Sequence, residues 1–209
     1  MRGLPTATTP TPLRRQLAGQ AVDRRPAALD AFLAARRRFL AGGRVDMTAL
    51  AQELGVNRVT LYRWVGSREQ LLVEVVWSLA RRTLDALEAD APGGAAGRGG
   101  EQRAVTILMA FLEATLAHPG MQRWLAEEGE SAMRLLTRHE TDFQPRLIAA
   151  VEALLAAEER AGRLDLGADR HEVAYALVRV IESYTYLDLI TGEAPEAGRA
   201  RPIFARLVR

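Results

Sequence analysis

"DMTALAQELGVNRVTLYRWVGSREQLL", residues 46–72, packs three helix starts and two glycine stops into one short stretch. Asp46, Asn57 and Ser67 each carry a side-chain oxygen suited to capping the first amides of a helix, and Ser67 with Gln70 has the spacing of a capping box. Gly55 and Gly66 supply the backbone freedom to end a helix and turn sharply. Leu50, Ala51 and Leu54 give the first of these helices an apolar side, and Leu61 and Val65, four apart, do the same for the second. Two short helices joined at a glycine have the form of a helix-turn-helix, in which the second helix enters the major groove. With Leu61 and Val65 turned inward beside Val56, the residues left on the outward side and rim are Arg58, Val59, Thr60, Tyr62, Arg63 and Trp64.

That set predicts contact with double-stranded DNA. Arg grips phosphates or forks onto guanine, Thr and Val touch a thymine methyl, and Tyr and Trp bond to phosphates or lie on the sugar edge. A competing reading, in which Tyr62 and Trp64 fill a gap between helices, leaves Arg58 and Arg63 without a role. Met47 and Thr48, in the first turn of the preceding helix, and Asn57, at the cap, are placed to meet the backbone or a groove edge. Arg68 opens the next helix, where amides and a guanidinium together can hold a phosphate.

Charge is distributed accordingly. Residues 1–68 hold 12 Arg against 4 Asp and Glu, whereas residues 69–209 hold 16 Arg against 22, so a net of +8 faces a net of −6 although the whole chain is only +2. Upstream of the quoted stretch, Leu29, Phe32, Leu33, Phe39 and Leu40 recur at helical spacing around Arg36, Arg37 and Arg38, which read as a solvated face. Residues 1–23, rich in Thr, Pro and Ala, read as a loose arm, and residues 24–68 as the three-helix DNA-binding head. The chain of 209 residues has no Cys and is 48% apolar, which suits a globular protein in a reducing compartment, the cytoplasm. No apolar run approaches the ~20 residues of a membrane span, and the first residues lack the apolar stretch of a secretory signal.

Downstream, a long amphipathic pattern runs from Ser67 to about Asp90, and "APGGAAGRGG" follows as a flexible connection. Helices are then expected over residues 101–118, in short pieces around 121–127 and 131–138, over 143–161, from Asp169 to Gly192, and near 199–208, where Pro202 must sit in the first turn. Nothing reads as a strand, so the expected fold is all-α with about nine helices. With no Cys, no H-E-x-x-H and no G-x-S-x-G, the sequence offers neither a metal set nor a nucleophile, and no cofactor or catalytic residue is expected. His118, His139 and His171 read as surface or capping histidines.

"DMTALAQELGVNRVTLYRWVGSREQLLVEVV" resembles the DNA-binding segment of TetR-family transcriptional regulators, with Thr60-Leu61-Tyr62 and the basic Arg68 in matching places. "ERAGRLDL" and "LVRVIESYTYLDLI" add a likeness to the QsdR-like subgroup, regulators associated with lactone signals. Arg63 stands where an aromatic or His is usual, and Trp64 is unusually bulky. The resemblance implies that residues 69–209 form a ligand-binding and dimerisation domain whose last two large helices pair with those of a second copy. For this contact the helix from Arg170 to Leu189 and the terminal Ile203, Phe204 and Leu207 offer apolar surface.

The expected function is a repressor that binds operator DNA as a homodimer and is released by a small, largely apolar effector, with a lactone-type signal as the subgroup's implication. The expected pocket residues are Met109, Phe111, Leu112, Met121, Trp124, Phe143, Tyr175, Tyr184 and Tyr186, with Glu113, Arg179, Glu182 and Asp188 close along their helices. Two other readings are a helical enzyme acting on a small apolar substrate, which a turnover assay against lactones would reveal, and a DNA-binding protein with no effector, which footprinting with and without metabolites would reveal.

Overall fold

In the computed structural model, which describes residues 26–91, 102–167 and 169–208, every regular element is helical. Ten α-helices run in the order α1 (Ala28–Leu40), α2 (Met47–Glu53), α3 (Arg58–Val65), α4 (Arg68–Asp90), α5 (Arg103–Ala117), α6 (Pro119–Thr137), α7 (Phe143–Arg160), α8 (Arg170–Thr185), α9 (Leu187–Thr191) and α10 (Arg201–Leu207). Short 3₁₀ turns precede α7 and α10. The expected arm at 1–23 and the connection at 91–100, Ala91 excepted, lie outside the described residues.

The caps read from sequence set the first turns. The Asp46 carboxylate accepts from Ala49 N at 2.8 Å, Asn57 Oδ1 from Thr60 N at 2.7 Å, and Ser67 and Gln70 close their reciprocal box. Gly66 has φ 69°, and a Cβ there would lie 1.9 Å from Gln70 Oε1, so the stop between α3 and α4 needs a glycine. Ala31, Ala34, Ala35 and Phe39 of α1 bury against Leu50 and Ala51 of α2, Leu61 of α3 and Leu71, Leu72 and Val75 of α4. Arg37 and Arg38 both reach Glu53, at 3.0 and 2.7 Å, and tie α1 to α2.

α5 is central, with seven of its residues, from Ala104 to Leu112, buried. α4, α6, α7 and α8 all touch it, and α8 lies along α7. Among the described residues no single helix is long and apolar enough to cross a membrane, and α5 and α6 meet at a bend of 63°.

One expectation is met here and two details differ. The two pieces expected at 121–127 and 131–138 are the two halves of α6, which meet at a kink where Glu128 takes φ −137° and ψ 32°. The helix expected from Asp169 to Gly192 breaks at Tyr186 and continues as α9 until Gly192, at φ 75°, ends it. The break brings Leu189 against Gly129 of α6, where a Cβ would come within 2.7 Å of the Leu189 side chain. Finally Phe204, expected to face a second copy, is 0% exposed within its own chain, packed with Ala200 and Val208, while Ile203 remains exposed and Leu207 half-buried. Pro202 sits in the first turn of α10, as its missing amide requires.

Candidate nucleic-acid interface and ligand cavity

The outward face of α3 is built from its spacing. Leu61 is wholly buried and Val65 half-buried, which fixes the rotation of the helix and puts Val59, 77% exposed, and Tyr62, 40% exposed, on the far side with Arg58 and Arg63. The Arg58 guanidinium lies over the Tyr62 ring, 5.9 Å from its centroid. Arg63 has no hydrogen-bond or ion-pair partner among the described residues. Thr48 and Asn57 are exposed beside this face, although Asn57 Oδ1 is already committed to the cap. Thr60 is half-buried.

Three residues expected at the interface are placed elsewhere. Met47 is 4% exposed and belongs to the core under α2, because the first residue of that helix points back toward α1. Trp64 is half-buried in a groove with Phe32 of α1 and Leu71 and Trp77 of α4, so its ring packs against the protein's own body. Arg68 donates from Nε to Val45 O at 2.7 Å and from both terminal nitrogens to the two oxygens of Glu128, each at 2.7 Å. It is a strut between α4 and the kink of α6, a forked guanidinium matched to a half-buried carboxylate. That arrangement, foremost the Arg68 hydrogen bonds, holds the Glu128 carboxyl below the ordinary carboxylate range.

Between α4, α5, α6, α7 and α8 lies a cavity of about 70 Å³. Val76, Leu79, Phe111, Met121, Leu136, Phe143, Leu147 and Ile181 make its walls apolar, while Thr83, Thr115, His118, Glu182, Thr185 and Tyr186 contribute polar groups. Of the expected pocket residues, Phe111, Met121, Phe143 and Tyr186 line it, and so does Glu182 of the polar groups expected beside them. Met109 and Leu112 are buried on other sides of α5. Trp124 meets Phe39 edge-on at 6.0 Å, and Tyr184 donates its hydroxyl to Arg199 O at 3.2 Å. Tyr175 is on the surface under the Arg179 guanidinium. An apolar residue on a helix buried all round can face any neighbour, so periodicity separates core from surface but not core from cavity.

The polar end of the cavity is a network. Glu182 accepts from Gln144 Nε2 and pairs with Arg179 at 2.9 Å, while Gln144 also donates to Leu136 O at 2.7 Å and accepts from Arg179. Burial pushes the Glu182 carboxyl up, and burial likewise pushes the Tyr186 phenol well above its usual range, so that phenol stays protonated. At the joint between α5 and α6, His118 Nδ1 accepts from Gly120 N at 3.1 Å and Met121 N at 3.4 Å. Its ring stacks on Phe39 of α1, centroids 5.7 Å apart, and burial pulls its pKa down. Of the two roles expected of His118 at a helix end, surface or cap, it takes the cap, and nothing in the sequence signals the stack on Phe39.

Known proteins place these features. The family model of the tetracyclin repressor-like C-terminal domain matches residues 99–209, more than half of the chain. Among solved structures the chain is similar to the R. erythropolis transcriptional repressor QsdR from the TetR family, with a TM-score of 0.75 and 25% identity over 87% of this chain and 93% of that one. No curated protein matches it. From the cap-and-glycine pattern of α2 to α4 and the all-helical body behind them to the family match over its second half, the chain belongs to the TetR family of transcriptional regulators.

Proposed function

We propose that the protein is a ligand-responsive repressor, acting in the cytoplasm, which binds double-stranded operator DNA as a homodimer and is released by a small, largely apolar effector. In this reading residues 24–68 are the DNA-binding head, residues 69–209 bind the ligand and pair the two copies, and Thr48, Asn57, Arg58, Val59, Thr60, Tyr62 and Arg63 meet the DNA. The observation that carries it is the outward row of α3, where two guanidinium groups and an aromatic ring face solvent together. One head reads only a short half-site, and pairing doubles the reading length. Exposed Tyr175, Leu189, Ile190 and Ile203 supply apolar surface for that pairing.

The effector site is the cavity among α4 to α8. At about 70 Å³ it is about half of the ~150 Å³ that admits a benzene ring, so any larger effector must part the helices around it. That requirement links ligand to DNA: α4 is both a cavity wall and the helix that follows α3, and a ligand that favours the parted arrangement shifts the population away from the head spacing that fits two grooves. A lactone, with an apolar body and one polar group, suits walls of this composition. The test is selection of bound sequences from random duplexes, followed by a screen for ligands that release the selected DNA. A two-fold repeated site lost on Arg58→Ala or Arg63→Ala is the expected result, and absence of any sequence preference overturns the reading.

A further inference from the structure

We infer that His118 is the specificity-determining donor of the cavity, and that the cavity takes a neutral ligand whose carbonyl-type oxygen accepts a hydrogen bond from His118 Nε2–H. The inference rests on the reading of the cavity as the effector site and narrows its chemistry. Because Nδ1 accepts two backbone amides at the start of α6, the proton of the neutral ring sits on Nε2. The stack on Phe39 at an interplanar angle of 26° fixes the plane of the ring, so the direction of that N–H is set before any ligand arrives. His118 lines the cavity, and Nε2–H meets no acceptor among the described residues. Nε2 is not among the buried polar atoms left without a partner, so it is open to water, and a ligand oxygen placed along the N–H takes that water's place.

Charge narrows the class further. Both oxygens of Glu182 are taken, one by Gln144 and one by Arg179, so no free carboxylate awaits a cationic ligand. Arg179, the cation of that network, is engaged with Glu182 and Gln144 and does not line the cavity, so an anion would meet a carboxyl group with no guanidinium facing it. Tyr186 also lines the cavity and has no side-chain hydrogen bond among the described residues, so its hydroxyl is a candidate for a second oxygen of the ligand. A lactone or ester, with two oxygens that accept and no charge, matches the chemistry of these two donors. The same His118 ring that would hold the carbonyl lies on Phe39 of α1, so the recognised atom is one ring removed from the head.

Full-length protein is titrated calorimetrically with three probes of matched size: γ-octalactone, which is neutral with a carbonyl; octanoate, an anion; and butylbenzene, which has no acceptor. The lactone is expected to bind about tenfold tighter than the other two. His118→Asn keeps an oxygen for the α6 cap but is too short to place a donor at Nε2. It should bring lactone affinity down to that of butylbenzene while leaving butylbenzene within about twofold, a selectivity that a purely structural role would not produce. Equal binding of the three probes, preference for octanoate, or a lactone affinity untouched by H118N overturns the inference and leaves the effector cavity standing. If H118N loses butylbenzene as well, the ranking of the probes on the unmodified protein decides. If none of the three binds the unmodified protein, the effector reading of the cavity falls along with the inference.

Discussion

Single arginines illustrate how one residue type takes opposite roles. Arg58 and Arg63 stand clear of the protein body, so their removal touches little but a bound duplex; Arg58→Ala and Arg63→Ala should each weaken selected-site binding by about 1–3 kcal/mol in a fluorescence anisotropy titration, with melting temperature unchanged. Arg68 is expected to behave the other way. Its replacement by Ala leaves the Glu128 carboxylate, 22% exposed, with the Arg44 ion pair at 3.5 Å and the charge of Arg123 further off, and should lower unfolding free energy by about 1–2 kcal/mol in urea, between the cost at a surface pair and at a buried one. The sequence motif marked Arg68 as basic and in the family's place. Its partner stands 60 residues further along the chain, a distance at which no local pattern speaks.

At the level of elements, the joint from α5 to α6 leaves no room for a side chain at Gly120. A Cβ on Gly120 would meet Phe39 O at 2.2 Å and the Phe39 ring at 2.7 Å, so Gly120→Ala should push α6 off α1 and cost about 1–3 kcal/mol, measured by thermal melting. A second constraint ties α5 to α7. Glu158, only 1% exposed, accepts from Arg103 at 2.6 Å and from Arg163 at 2.7 Å, and Arg103 also donates to the backbone at the end of α4. The Arg163 hydrogen bond, ahead of the Arg103 one, holds the Glu158 carboxyl below the ordinary carboxylate range. A carboxyl depressed in the folded state contributes stability above its unfolded pKa and loses it as pH falls through the folded value. Glu158→Gln should therefore lower stability at neutral pH by about 3 kcal/mol and flatten the acid limb of the pH–stability curve, as read by urea titrations across that range. Helix starts were legible in the sequence at this scale, because Asp46, Asn57, Ser67 and Asp169 each bond an amide two or three residues on. The interruption near Glu128 was legible too, as two pieces were expected on either side of it, whereas the break at Tyr186 was not, since it depends on what a distant helix presents.

For the molecule as a whole, the +8 charge of residues 1–68 against −6 in the remainder turns the positive end toward a polyanion. DNA affinity should accordingly fall steeply with salt, with a log–log slope near the number of phosphates neutralised, and a flat response in a salt series would contradict binding through this face. Sedimentation should find two copies associated, both free and on DNA.

The amino-acid sequence by itself determined the local grammar: where helices begin, where glycine must end them, which side of α3 faces inward, and that the whole is α-helical and built on a helix-turn-helix. These follow from hydrogen bonds and periodicities that span only a few residues. The tertiary structure alone decided that Met47 and Trp64 turn toward the body, that Arg68 belongs to Glu128, that Phe204 is sealed within its own chain, and which apolar residues of α4 to α8 surround empty space. Such facts depend on the complementary shape and charge of segments far apart in the chain, and an apolar stripe says only that it will be covered, never by what.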